Sequence, residues 1–187
     1  MRVSSPVRIL GIPGSLRSGS YNHAALKAAQ ALVPEGATLD IATLDGIPLY
    51  SQDAEHPLPP AVEELKARIR EADALLIATP EYNYSVPGVL NTAIDWASRP
   101  HGDNAWAGKP VAVMGASVGT LGTARAQYHL RQTFVFLDMH PLNKPEVMIG
   151  QAARRFDERG RLIDETTRAL VHQLVEALVA WTGRLGK

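Results

Sequence analysis

The chain contains no cysteine. That excludes disulfides, thiolate metal sites and cysteine nucleophiles, and it fits a reducing compartment. Net charge is also absent: 19 basic residues balance 19 acidic ones. A neutral chain gives no electrostatic footprint for nucleic acid or an anionic membrane. No apolar run approaches the roughly 20 residues of a membrane helix. Val7–Ile12 is too short for a signal peptide and runs directly into the fold pattern. The six histidines show neither H-x-x-x-H nor H-E-x-x-H spacing, so no metal site is expected. There is no G-x-S-x-G elbow for a hydrolase, no Gly-Lys-Ser/Thr phosphate loop and no G-x-G-x-x-G.

What is present is a chain of 187 residues, 45% apolar and 20% charged. Those totals fit one soluble domain spanning 1–187. Val7–Ile12, Leu39–Leu44, Ala74–Thr79 and Pro110–Ala116 read as strands. A fifth strand near Met139–Leu142 resumes at Glu146–Ile149. Helical patterns fall between them, near 22–33, 61–71, 87–98 and 123–137, with Thr123 as a cap of the fourth. A last helix follows Asp164. Regular alternation of strand and helix predicts an α/β, doubly wound parallel sheet. With five strands, the flavodoxin-like order 2-1-3-4-5 is expected, and ligands then bind where strands one and three diverge.

Two loops converge on that switch point. Gly14–Asn22 leads from the first strand into a helix, where unpaired N–H groups and the helix dipole favour an anion. Its hydroxyls and Arg17 suit a phosphate monoester, although an ordinary polar loop capped by Ser20 or Asn22 has the same composition. Pro80-Glu81-Tyr82-Asn83-Tyr84-Ser85-Val86-Pro87 follows the third strand. It is pinned by proline at both ends and carries two tyrosines, which suits a flat ligand against ordered backbone. Another loop with small residues, Ser117-Val118-Gly119, follows the fourth strand. A mononucleotide with a large planar head fits all three, and FMN is the natural candidate.

The motifs Gly14-Ser15-Leu16-Arg17-Ser18-Gly19-Ser20-Tyr21-Asn22 and Pro80–Gly88, with Ala93-Ile94-Asp95-Trp96, resemble the NADPH-dependent FMN reductase family. Within it the chain is similar to bacterial chromate and quinone reductases. The similarity continues through Tyr128–Gln132, Val135–Asp138 and Asn143–Glu146, covering nearly the whole chain. It implies that Ser15, Leu16, Arg17, Ser18, Gly19, Ser20, Tyr21 and Asn22 hold the FMN phosphate and ribityl chain. Ser15, Arg17, Ser20 and Asn22 would be the side-chain donors. It implies that Pro80, Glu81, Tyr82 and Asn83 line the isoalloxazine edge, largely by backbone groups, and that Ser117 closes a third side.

The implied reaction is ping-pong. NAD(P)H passes hydride to flavin N5, and a small-molecule acceptor (a quinone, free flavin, azo dye or chromate) then takes the electrons. No side chain is expected to act as a general acid or base. The resemblance also implies a cytoplasmic homodimer or homotetramer, with Arg125, Tyr128 and Glu146 near the contact. Asn91-Thr92 replaces the family's Lys-Asn and removes a positive charge there. A flavodoxin-type single-electron carrier is the alternative. Such carriers are usually strongly acidic, and this chain is neutral. A member that has lost flavin is a third reading, opposed by the intact first loop.

Overall fold

The computed structural model describes residues 5–186. Strand β1 (Val7–Pro13) lies between β2 (Ala37–Ile41), at one edge of the sheet, and β3 (Ala74–Ala78), at its centre. β4 (Pro110–Ala116) follows β3, and the order is β2-β1-β3-β4-β5, parallel throughout. The expected flavodoxin-like order is therefore present. The last strand is split. β5 (His140–Pro141) pairs with the start of β4, and β6 (Val147–Ile149) pairs with its end, Met114 opposite Val147. Leu142 N–H still bonds Val111 O at 2.8 Å; Asn143–Glu146 then interrupts the ladder, with Asn143 and Lys144 exposed and followed by a proline that cannot donate.

The sheet is covered on both faces, which is why its strands read as continuous apolar runs. Side chains alternate along them. Leu75 and Ile77 of β3 join Ile12 and Val113 on one face. That face packs against α2 (Pro60–Glu71), α3 (Gly88–Ala97) and α4 (Ala124–Leu137). Ala74, Leu76 and Ala78 point the other way, toward α1 (Tyr21–Ala31) and α5 (Glu165–Arg184). Each fully buried Leu or Ile here contributes roughly 1.5–3 kcal/mol. Asp164 caps α5 as expected, accepting from the Thr167 amide at 2.8 Å.

Two boundaries differ from the sequence pattern. β2 ends at Ile41 rather than Leu44, because the last sheet bond is Ala42 N–H to Gly11 O at 2.8 Å. The chain then turns and buries Leu44 against the opposite face. Thr123 precedes α4, but its side chain caps nothing; its hydroxyl instead accepts from the side-chain carboxamide Nε2 of Gln127 at 3.0 Å. The group that does cap α4 comes from elsewhere.

Candidate flavin site

The carboxyl ends of β1, β3 and β4 carry the three loops that the sequence singled out. Their roots are tied together. Gly14 N–H bonds Ala78 O at 2.8 Å, and a Cβ on Gly14 would sit 3.1 Å from Pro80 and 3.2 Å from Thr79. Glycine lets the first loop (after β1) and the third loop (after β3) approach this closely, where a side chain would force its neighbours to shift. Thr79 N–H reaches Met114 O at 3.0 Å, joining the third loop to β4.

Asn22 makes the strongest link. Its carboxamide accepts from Ala116 N–H at 2.8 Å and donates to Ala116 O at 2.9 Å, in the interior. The first turn of α1 is thereby bolted to the end of β4. Asn22 was expected to be a donor to phosphate. The structure gives its side chain this structural pair, because a strand end leaves its own backbone groups open and a buried N–H or C=O demands a partner.

Ser20 caps α1, its hydroxyl accepting from the amides of Asn22 at 3.2 Å and His23 at 3.4 Å. Ser15 accepts from Arg17 N–H at 3.3 Å. The remaining loop amides, those of Ser15, Leu16, Ser18, Gly19 and Tyr21, donate to no protein acceptor among the described residues. Leu16, Ser18 and Gly19 are exposed, and Ser15 and Tyr21 are half-buried. Arg17 folds back over Gly19 and toward the Tyr21 ring, its guanidinium 5.6 Å from the centroid. Tyr21 in turn packs on Phe156 at 5.5 Å. Cavities of about 350 and 250 Å³ flank the loop and share Ser18, His23 and Lys27. The larger one is closed by the turn Asp157–Gly160. Burial, then the nearby Lys27 charge, pushes the His23 imidazole down.

The third loop is ordered differently. Tyr82 N–H bonds Ser85 O at 3.1 Å, and Ser85 N–H bonds Tyr82 O at 2.9 Å. Between them Asn83 and Tyr84 both take left-handed backbone, φ 51° and 64°. This is the geometry of a two-residue hairpin turn, which asparagine tolerates and tyrosine rarely adopts. Pro80 is buried, whereas Tyr82 and Tyr84 are exposed. The amides of Glu81 and Asn83 have no protein acceptor among the described residues.

The Glu81 side chain turns inward and is 5% exposed. It accepts from the amides of Arg125 at 3.0 Å and Ala126 at 3.1 Å, the first turn of α4, and from Arg125 Nε at 2.6 Å. Burial alone would raise this carboxyl; the Arg125 and Ala126 bonds outweigh it and hold it below the usual range. The Arg125 guanidinium lies 3.5 Å from the Tyr84 ring centroid. Arg125, expected near a subunit contact, is thus engaged within its own chain. Tyr128 donates to Glu146 at 3.0 Å, and Glu146 also meets Lys144 at 3.0 Å. Sequence reasoning missed the Glu81 cap. One signal was available: the first turn of α4 contains no acid of its own, so its dipole lacks an anion.

In the third corner, Ser117 donates to Gly122 O at 2.6 Å and closes its loop on itself. A Cβ on Gly115 just beneath would lie 1.9 Å from the Thr123 hydroxyl. Among the described residues, no cluster of His, Asp and Glu could hold a metal ion, and no helix is long and apolar enough to cross a membrane.

The donor set fits FMN at both ends. Unpartnered amides at a helix N-terminus match a phosphate monoester, and the unpartnered Glu81 and Asn83 amides match in kind the acceptors of a planar edge. Comparison with known proteins agrees. The sequence profile of the NADPH-dependent FMN reductases matches residues 7–154. The chain belongs to this family. A Pseudomonas aeruginosa protein named NAD(P)H-dependent FMN reductase is 59% identical over 98% of this chain and 99% of its own. A 2-hydroxy-1,4-benzoquinone reductase from Burkholderia sp. is 43% identical over 94% of this chain and 96% of its own. The solved structure of the Paracoccus denitrificans flavoenzyme NAD(P)H:(acceptor) oxidoreductase superposes with a TM-score of 0.86. It is 37% identical and covers 95% of this chain and 97% of its own. As a member, this FMN reductase is an FMN-dependent NAD(P)H oxidoreductase.

Proposed function

We propose that the protein reduces quinones by two-electron transfer from NAD(P)H through bound FMN. The single observation that carries this is the pair of loops at the β1/β3 switch point, one offering free amides and the other an ordered backbone wall. The quinone acceptor is supported by the benzoquinone reductase at 43% identity. FMN, when bound, supplies the redox chemistry. The chain's residues bind and orient. The amides of Ser15, Leu16, Ser18 and Gly19, with Arg17 and Ser20, would hold the phosphate. Tyr21 would shelter the ribityl chain. Pro80, Glu81, Tyr82 and Asn83 would line the ring edge through their backbone, and Ser117 would set the depth of the crevice. Asn22 acts one step removed, by fixing the loop to β4.

The same reading includes a homodimer or homotetramer. Its support is the exposed apolar side chains of α4, with Val135 84% and Phe136 82% accessible, close in sequence to Tyr128. Arg125, Tyr128 and Glu146 would lie near that contact, Arg125 also serving its own subunit's loop. Chromate as an acceptor and a cytoplasmic location belong to the same reading.

The test is an absorbance spectrum after FMN loading and desalting, then anaerobic NADPH, then benzoquinone. Retained flavin that bleaches with one equivalent of NADPH and recolours with one of quinone is expected. Bleaching that yields a stable one-electron form instead indicates the electron carrier.

A further inference from the structure

The turn at Asn83 and Tyr84 is held by more than its own two hydrogen bonds, and each added restraint comes from α4. Glu81 grips the amides of Arg125 and Ala126 in the helix's first turn. Arg125 lies under Tyr84. His129 Nδ1 sits 3.1 Å from Ser85 Oγ. Left-handed backbone at a tyrosine persists only where its surroundings over-determine it. The helix in turn depends on the loop, since Thr123 leaves its N-terminus uncapped and no acid lies in its first turn. A carboxylate bonded to charged and dipolar donors in a buried setting is the strong member of the set.

We propose that Glu81 is a positioning residue for the flavin: its carboxylate, locked on the first turn of α4 and on Arg125, splints the Asn83–Tyr84 turn in the one conformation that presents backbone to the flavin edge. This rests on the reading of the Pro80–Pro87 loop as the flavin wall. The side chain itself touches no ligand.

The test reads two things: FMN affinity by quenching of flavin fluorescence, and amide exchange at Tyr82 and Ser85 in the flavin-free protein. Glu81→Gln keeps the shape and removes the charge. It is expected to raise the FMN Kd about tenfold, the scale of one lost charge-assisted bond. It should also speed exchange at Tyr82 and Ser85 while β3 and β4 stay protected. The decisive variant is Tyr84→Gly in the Glu81→Gln background. It creates Asn-Gly, the pair that most favours this turn, so it should restore most of the lost affinity although the Arg125 contact is gone. A merely structural loss in α4 would not be rescued by a glycine in the loop.

An unchanged Kd in Glu81→Gln, with a wild type that binds FMN, overturns the proposal and leaves the functional reading standing. A weakened Kd that Tyr84→Gly does not recover also overturns it. A wild type that retains no FMN removes the functional reading itself, and the proposal with it. Should Glu81→Gln fail to fold, Arg125→Ala keeps the α4 cap and removes the support under Tyr84. Faster exchange at Ser85 with weaker FMN binding is then expected, and wild-type values for both overturn the splint.

Discussion

The loops after β1 and β3 meet at one crevice, yet they are kept in shape by opposite means. The first is fixed at its root and bare at its tip. Asn22 and Gly14 fasten it to β4 and β3, while five amides between them are left without partners among the described residues. The third is fixed along its length, by two turn bonds, a buried carboxylate and a guanidinium under a tyrosine. The difference follows from what each presents. A phosphate is met by several N–H donors, so their partners must be withheld. A planar edge is met by one face of backbone, so that face must be held still. Rigidity at the root and rigidity at the tip are separable, and variants should separate them.

Asn22→Leu strikes the first loop's root and should have the largest effect. It strands the N–H and C=O of Ala116 in the interior, at about 3 kcal/mol for two unsatisfied groups. Urea denaturation should show a lower midpoint with an unchanged slope, and FMN retention should fall with it. Ser20→Ala is milder. Losing a helix cap costs about 1 kcal/mol, and the hydroxyl also borders the phosphate seat, so stability and affinity should both drop modestly. Arg17→Ala strikes only the tip. Arg17 is exposed and makes no ion pair among the described residues, so stability should stay within about 0.5 kcal/mol. FMN Kd, read by fluorescence, should still rise about tenfold with the loss of one charged donor. A large stability loss in Arg17→Ala would erase the distinction between root and tip.

The sheet order was legible because the apolar runs and their turns are local features, and a parallel order follows from their alternation. The break in the last strand was legible too, as a run that stops near Leu142 and resumes near Glu146. The positions of both loops followed from strand ends. What stayed hidden is the direction of individual side chains. Asn22 bonds a residue 94 positions away and Glu81 one 44 positions away, and no local pattern encodes either partner. Asn22 looks like a donor to a ligand and Thr123 looks like a cap, because residue type shows capacity and tertiary packing assigns its use. The acid-free first turn of α4 was the one local trace of the Glu81 contact.

Acid separates the two loops with the smallest expected effect. The stretch 14–22 contains no carboxylate, so nothing in the first loop titrates on the acid side. Glu81 is held below its ordinary value near 4.5, with burial opposed by the bonds from Arg125 and Ala126. A carboxyl depressed in the folded state contributes stability that is fully present above its unfolded value and is lost as pH falls through the folded one. Lowering pH from 5 to 3 should therefore loosen the third loop first. Asp103 and Glu146, also held low, by Lys66 and by Lys144 respectively, titrate in the same range, so the measurement is a difference. Amide exchange at Tyr82 and Ser85, normalised to the unstructured rate at each pH, should accelerate a few-fold on acidification in the wild type. In Glu81→Gln it should be fast at pH 5 already and change little further. Equal acid responses in the two proteins would mean that some other carboxylate governs the turn, and the contrast between a loop held by charge and a loop held by its root would fail.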